Sequence, residues 1–96
     1  MSKPGKQYRI EFDSNAVARD WAQLKRQFPD KMGECIRFLE TEPANRLKAI
    51  GKLKKLKGKY RGILQYDITK DEYRVWYVAN KQGKVVTILY AGTHPE

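Results

Sequence analysis

The sequence predicts an α+β domain in which one curved sheet carries helices on one of its faces. Three observations favour this class. Apolar and polar residues alternate near the N-terminus, two later segments repeat apolar residues every three or four positions, and the last third of the chain is rich in Val, Ile, Leu, Tyr and Trp. Because the chain has only 96 residues, these elements must share one core. We therefore expect a flexible leader over residues 1–6 and a single domain over residues 7–96.

The first two elements are a strand and a helix. Apolar residues alternate with polar ones from Gln7 to Asp13, as is typical of a half-buried strand. Asp13, Ser14 and Asn15 then offer side-chain oxygens that can cap a helix. The apolar spacing that follows is helical, and we expect this first helix to stop near Pro29.

Asp30 can cap a second helix, which should end before Pro43. Its apolar stripe includes Cys35, which we interpret as a small core residue and not as a nucleophile. Since the link between the two helices is short, they should pack antiparallel as a hairpin. Pro43 can open a further helical turn that contains Leu47 and Ile50.

The remaining strands lie in the C-terminal part of the chain. Three runs have strand-like composition: Tyr60–Asp67, Tyr73–Ala79 and Lys84–Ala91. The segments between them are short and turn-like, so the three strands should form an antiparallel meander. The first strand must join the same sheet, because its apolar face would otherwise stay exposed.

Positive charge is concentrated between residues 46 and 61. This stretch contains eight Lys and Arg, and no acidic residue occurs from residue 43 to residue 66. Outside it, 12 Lys and Arg remain against 11 Asp and Glu, so the stretch carries nearly all of the net charge of +9. Such a concentration is typical of a site for a polyanion such as nucleic acid. A solvated connection, pinned to the core by Leu53 and Leu56, or a surface for an acidic protein would also account for it.

Several classes of function are disfavoured by the sequence. Its single cysteine excludes an internal disulfide and fits a reducing cytoplasm, and no Cys/His cluster has zinc-ligand spacing. No apolar run is long enough for a membrane span or resembles a secretory signal. We also find no phosphate-binding glycine loop and no paired catalytic carboxylates, and we expect no metal or cofactor. Phosphodiester chemistry would then rely on the 2′-hydroxyl of RNA as the nucleophile.

Three residues are candidates for such chemistry. Arg61 and Arg74 each lie near the start of a predicted strand among apolar neighbours, and we expect them to converge with His94 at one face of the sheet. A guanidinium at such a position can hold a phosphate through two hydrogen bonds, although it could instead pair with an acidic residue of the adjacent strand. His94, which follows the last strand, is the only histidine and could act as a general acid or base, or simply be exposed.

Four segments together resemble the RelE/ParE superfamily of bacterial toxins. They are YRIEFDSNAVARDWAQL, KLKKLKGKYRG, EYRVWYV and VVTILYAGTH, in that order, and they cover nearly the whole chain from Tyr8 to His94. The resemblance implies a toxin of a type II toxin-antitoxin pair that is a monomer alone and forms a higher-order complex with its antitoxin. RelE-like members cut mRNA in the ribosomal A site through the 2′-hydroxyl. ParE-like members share the fold and inhibit DNA gyrase instead.

The resemblance also implies roles for individual residues. Arg61 and Arg74 match catalytic basic positions of the RelE-like nucleases, and His94 resembles the terminal histidine of the YafQ-like branch. The resemblance does not identify the general base of this chain. The residues expected to contact RNA are Lys52, Lys54, Lys57, Lys59 and Tyr77. We thus predict a ribosome-dependent mRNA endonuclease; the alternatives are a non-enzymatic gyrase inhibitor and an inactive RNA-binding relative.

Overall fold

The computed structural model describes residues 7–45, 49 and 51–93. Two helices and five strands follow one another in the order β1 (Arg9–Phe12), α1 (Asn15–Gln27), α2 (Pro29–Thr41), β2 (Leu53–Lys55), β3 (Leu64–Asp67), β4 (Tyr73–Asn80) and β5 (Val85–Thr93). A short 3₁₀ helix, Gly58–Tyr60, lies between β2 and β3. The predicted α+β class is confirmed. The expected leader, residues 1–6, lies outside the described residues.

All five strands belong to one sheet, whose order is β1-β5-β4-β3-β2. The prediction that the first strand joins the C-terminal meander is confirmed: β1 pairs with β5 in parallel, and the other neighbours are antiparallel. A strand within the basic stretch was not predicted. Leu53 pairs with Tyr66 of β3 and is buried, while Lys54 points to the other face, so even this short segment alternates as a strand does.

The strand predicted from Tyr60 begins later, at Leu64. The residues before it form a compact loop, because Gly58 and Gly62 adopt positive φ angles of 66° and 94° that side-chain-bearing residues rarely adopt. Within this loop the Tyr60 carbonyl accepts a hydrogen bond from the Ile63 amide at 3.1 Å. Arg61 is therefore a loop residue.

The first helix begins as predicted, with the Ser14 side chain accepting a hydrogen bond from the Val17 amide at 3.2 Å. The second helix differs from its prediction. Pro29 occupies its first turn, where a missing N–H costs nothing, so Asp30 lies inside the helix and is not its cap. The predicted helical turn after Pro43 falls on Leu47 and Ile50, which lie outside the described residues.

The hydrophobic core lies between the helices and one face of the sheet. From α1 it receives Trp21 and Leu24, and from α2 it receives Met32, Cys35, Phe38 and Leu39. The prediction that Cys35 is a core residue is confirmed, since it is completely buried. Burial raises the pKa of its thiol far above the ordinary value, so the side chain remains a neutral, unreactive thiol.

The middle strand, β4, separates the core from the opposite face of the sheet. Val75 and Tyr77 are fully buried, and the hydroxyl of Tyr77 donates a hydrogen bond to the carbonyl of Pro43. Arg74 and Trp76 alternate with them and therefore lie on the helix-free face, on which we find the candidate site. Neither described helix has the length and apolar content needed to cross a membrane.

We expect Tyr77→Phe to lower the free energy of unfolding by about 1–2 kcal/mol, because it leaves the buried Pro43 carbonyl without its donor. Urea denaturation followed by circular dichroism measures this loss. Tyr60→Phe is the matched control, since its ring is 39% exposed, and should change stability by less than about 0.5 kcal/mol. Equal stability of the wild type and Tyr77→Phe would contradict this role of the hydroxyl.

Alkaline pH should destabilise the fold through Tyr66. Burial, together with the negative charge of nearby Glu34, raises the pKa of Tyr66 to about 12 from its ordinary value of 10.0. Between these two values the unfolded chain releases the phenolic proton before the folded chain does, so rising pH lowers the free energy of unfolding. Urea denaturation at a series of pH values should show a shallower decline for Tyr66→Phe. Parallel declines in the two proteins would rule out this contribution.

Candidate functional site

Arg74 lies on the helix-free face, near the start of the middle strand β4. On the flanking strands it pairs with Asp67 of β3 and Gly92 of β5. Its Nη2 atom donates to the carbonyl of Asp71 at 3.2 Å, which anchors one end of the guanidinium. The Nε atom is buried and has no hydrogen-bond partner within the described part of the chain. A buried, unpaired donor of a cationic group is costly, and an oxyanion would satisfy it.

Asp67 stands opposite Arg74, but its carboxylate is engaged by other side chains. Oδ1 accepts a hydrogen bond from Gln65 Nε2 at 2.9 Å, and Oδ2 forms an ion pair with Lys54 Nζ at 3.1 Å. The Gln65 oxygen in turn accepts from Trp76 Nε1 at 2.9 Å. These contacts link β4, β3 and β2 across the helix-free face. They also engage both oxygens of the carboxylate that lies across from Arg74 on the neighbouring strand.

A row of aromatic rings lies on the same face. The Tyr60 and Trp76 ring centroids are 4.9 Å apart, and those of Trp76 and Tyr90 are 5.8 Å apart. Tyr90 reaches this face through an irregularity in β5: Trp76 pairs with Tyr90 and Tyr77 pairs with Ile88, so Leu89 is an extra residue. We call Tyr60, Trp76 and Tyr90 the aromatic row.

The structure places only one of the two candidate arginines, Arg74, in a strand. Arg61 lies in the loop before Leu64, whereas Arg74 is beside Asp67 at the other end of β3. Those two ends are about 10 Å apart at the usual rise of an extended strand. The prediction that Arg61 and Arg74 begin neighbouring strands on one face is therefore wrong. His94 lies outside the described residues.

Arg61 instead lines an apolar cleft of about 550 Å³. Its charged lining residues are Lys55, Lys57 and Arg61. Its apolar wall is formed by Ala44, Leu53, Leu56, Ile63, Leu64 and Ala79. A second cleft, of about 510 Å³, is polar and includes Lys31, Lys52, Lys54 and Asp67. Among the described residues no cluster of His, Cys, Asp and Glu could hold a metal ion.

The five residues predicted to contact RNA have different surroundings. Lys52 is paired with Glu34 at 3.2 Å, and Lys54 is paired with Asp67. Lys57 is exposed at the apolar cleft, and the Nζ atom of Lys59 lies 5.3 Å from the centroid of the Tyr60 ring.

The prediction for Tyr77 is wrong, because its side chain is completely buried and points towards the helices. The residue on the helix-free face is its neighbour Trp76, which is only partly buried. Alternation along β4 already places Trp76 with Arg74, so the sequence contained the signal for this residue. It contained none for Tyr60 or Tyr90, whose positions depend on the loop before β3 and on the irregularity in β5.

We compared the protein with known families, sequences and structures. No protein-family model matches the chain, and no curated protein sequence is significantly similar to it. Solved structures do match. A YoeB/ParE toxin from Agrobacterium tumefaciens superimposes with a TM-score of 0.72 and 21% identity, over 91% of this chain and 99% of that chain.

Two further structures are similar. The archaeal RelE-RelB complex from Pyrococcus horikoshii gives a TM-score of 0.66 and 27% identity, over 91% of this chain and 94% of that chain. A mutant of YafQ from E. coli gives a TM-score of 0.65 and 20% identity, over 92% of this chain and 94% of that chain. The protein has the fold of the RelE/ParE superfamily of toxins, which confirms the resemblance predicted from its sequence.

Proposed function

We propose that this protein is the toxin of a type II toxin-antitoxin pair and that it cleaves mRNA on the ribosome. The observation that carries the proposal is the Arg74 side chain, which lies on the helix-free face with a buried Nε that no described residue satisfies. A phosphate oxygen of a bound strand would accept from this donor once the side chain rotates to expose it. The likeness to RelE, YoeB and YafQ structures supports the same class of activity.

The chemistry needs little from the protein besides positive charge and proton transfer. In RNA the 2′-hydroxyl attacks the adjacent phosphorus in line, and the bond from phosphorus to the 5′-oxygen breaks. A base removes the 2′ proton and an acid protonates the departing 5′-oxygen, leaving a cyclic phosphate and a free 5′-hydroxyl. Arg74 would stabilise the negative charge that develops on the non-bridging oxygens.

We assign His94 as the acid or base of this reaction. It follows Thr93, the last residue of β5, which pairs with Tyr73, the residue before Arg74 in β4. Arg61 lies at the other end of β3 and would contact a neighbouring phosphate of the same strand and not the scissile one. The ion pair with Asp67 holds Lys54 on the open face, where it would add to the positive charge.

An antitoxin is the proposed protein partner. Several of the similar structures are complexes, among them RelE-RelB from Pyrococcus horikoshii and YoeB-YefM from Staphylococcus aureus. The net charge of +9 favours an acidic partner, because opposite charges accelerate association and suppress wrong pairings. Such a partner would compete with RNA if it covered the open face of the sheet.

Arg74→Ala should lower the cleavage rate by about 100-fold, because a donor to the transition-state oxyanion is lost. Arg74→Lys should retain part of the activity, since it keeps the charge without the planar fork. The measurement is growth arrest after induction from a tight promoter, together with mapping of new mRNA 5′ ends within translated codons. His94→Gln should show the same defect in cleavage.

Arg9→Ala is the matched control for this experiment. It removes the same charge from the edge strand β1, where Arg9 is largely exposed and contacts Glu11, and should leave cleavage unchanged. Full toxicity of Arg74→Ala and His94→Gln would sink the nuclease proposal. Growth arrest with intact mRNA and a block in DNA supercoiling would point instead to the gyrase inhibitor that the sequence left as an alternative.

A further inference from the structure

Tyr60 is exposed although its side chain is large and aromatic. Among the described residues, only Phe12 and Tyr60 are large apolar side chains with such exposure, at 36% and 39%. Tyr60 belongs to the loop between β2 and β3, and its ring contacts Trp76 at 4.9 Å on the helix-free face. Its exposed area contributes nothing to the core and is therefore available for contact with a ligand.

The position of Tyr60 is fixed from both sides. Its amide donates to the carbonyl of Lys57 at 3.2 Å, and its carbonyl accepts from Ile63. The neighbouring Trp76 is held by the hydrogen bond from its Nε1 to Gln65, which is buried. Rigid aromatic side chains lose little conformational entropy on binding, so the pair is suited to a ligand that is itself planar.

Positive charge surrounds these two rings. The Nζ atom of Lys59 lies 5.3 Å from the centre of the Tyr60 ring, and Lys54 and Arg74 share the same face of the sheet. An exposed lysine over an aromatic ring is held only weakly and can turn to a phosphate at little cost. Aromatic faces alternating with cations are the arrangement by which proteins hold single-stranded nucleic acids.

We infer that Tyr60 stacks on an unpaired nucleobase, with Trp76 as its support and with Lys59 on the adjoining phosphate. This rests on the proposed function and adds to it a base-binding site on the strand that Arg74 would hold. The ligand is a single strand, because the faces of bases within a duplex are already covered by their neighbours. The positive charge of the surrounding side chains favours a polyanionic ligand.

The test compares two uncleavable DNA strands of equal length by fluorescence polarisation, one a thymidine homopolymer and the other abasic at every position. Neither has a 2′-hydroxyl, and no ribosome is present. Tyr60→Leu should bind the thymidine strand about tenfold more weakly and the abasic strand nearly as well as the wild type. Tyr60→Phe should bind both strands like the wild type, because it keeps the aromatic face.

Phe12→Leu is the matched control, since it replaces the other exposed aromatic ring on β1 at the opposite edge of the sheet, and it should change neither affinity. The inference is overturned if the wild type binds the two strands equally or if Tyr60→Leu weakens both to the same extent. A wild type that binds an acidic polyglutamate peptide and neither strand would also overturn it. Cleavage is not measured, so the nuclease proposal can fail separately.

Discussion

The alternation of β4 is the constraint on which the rest of the structure depends. This strand lies in the middle of five, and its side chains at Val75 and Tyr77 are completely buried against the helices. Successive side chains of a strand point to opposite faces, so packing those two residues inward turns Arg74 and Trp76 outward. A shift of one residue would bury a guanidinium and expose the core. The hydrogen bond from Tyr77 to the Pro43 carbonyl opposes such a shift.

The helix-free face keeps a cation available because the carboxylate across from it has other partners. Asp67 is directly opposite Arg74, yet Gln65 and Lys54 occupy its two oxygens. A carboxylate that is already paired attracts a further cation less strongly, so the guanidinium is left for a ligand. Trp76 completes this network through its bond to Gln65. The same contacts therefore fix an aromatic ring and leave a phosphate-binding group free.

The basic stretch does two different things in the folded protein. Among its described residues, Leu53–Lys55 form the edge strand β2, in which Leu53 joins the core. Lys54 of this strand and the preceding Lys52 pair with acidic residues. Its second part becomes the loop before β3, where Lys57 and Arg61 line an apolar cleft and Tyr60 meets Trp76. Lysines at an exposed sheet edge also oppose pairing with other chains. Net charge alone does not distinguish these roles.

The sequence by itself determined the class of the fold and most of its elements, although not β2. Helical spacing, strand alternation and short turns are local properties, and they were sufficient for both helices, for β1 and for the antiparallel meander. They also placed Arg74 and Trp76 on one face of a strand. Four segments in a fixed order were specific enough to indicate the RelE/ParE superfamily, whose fold the structure has.

Only the tertiary structure decided what shares the site. Arg61 was expected beside Arg74, but Gly58 and Gly62 turn the chain into a loop that separates the two arginines. Tyr90 joins the aromatic row only because Leu89 is an extra residue in β5, which reverses the alternation that a strict period would give. Tyr77 was assigned to RNA and is core. These outcomes depend on register between strands distant in sequence, which local spacing does not encode.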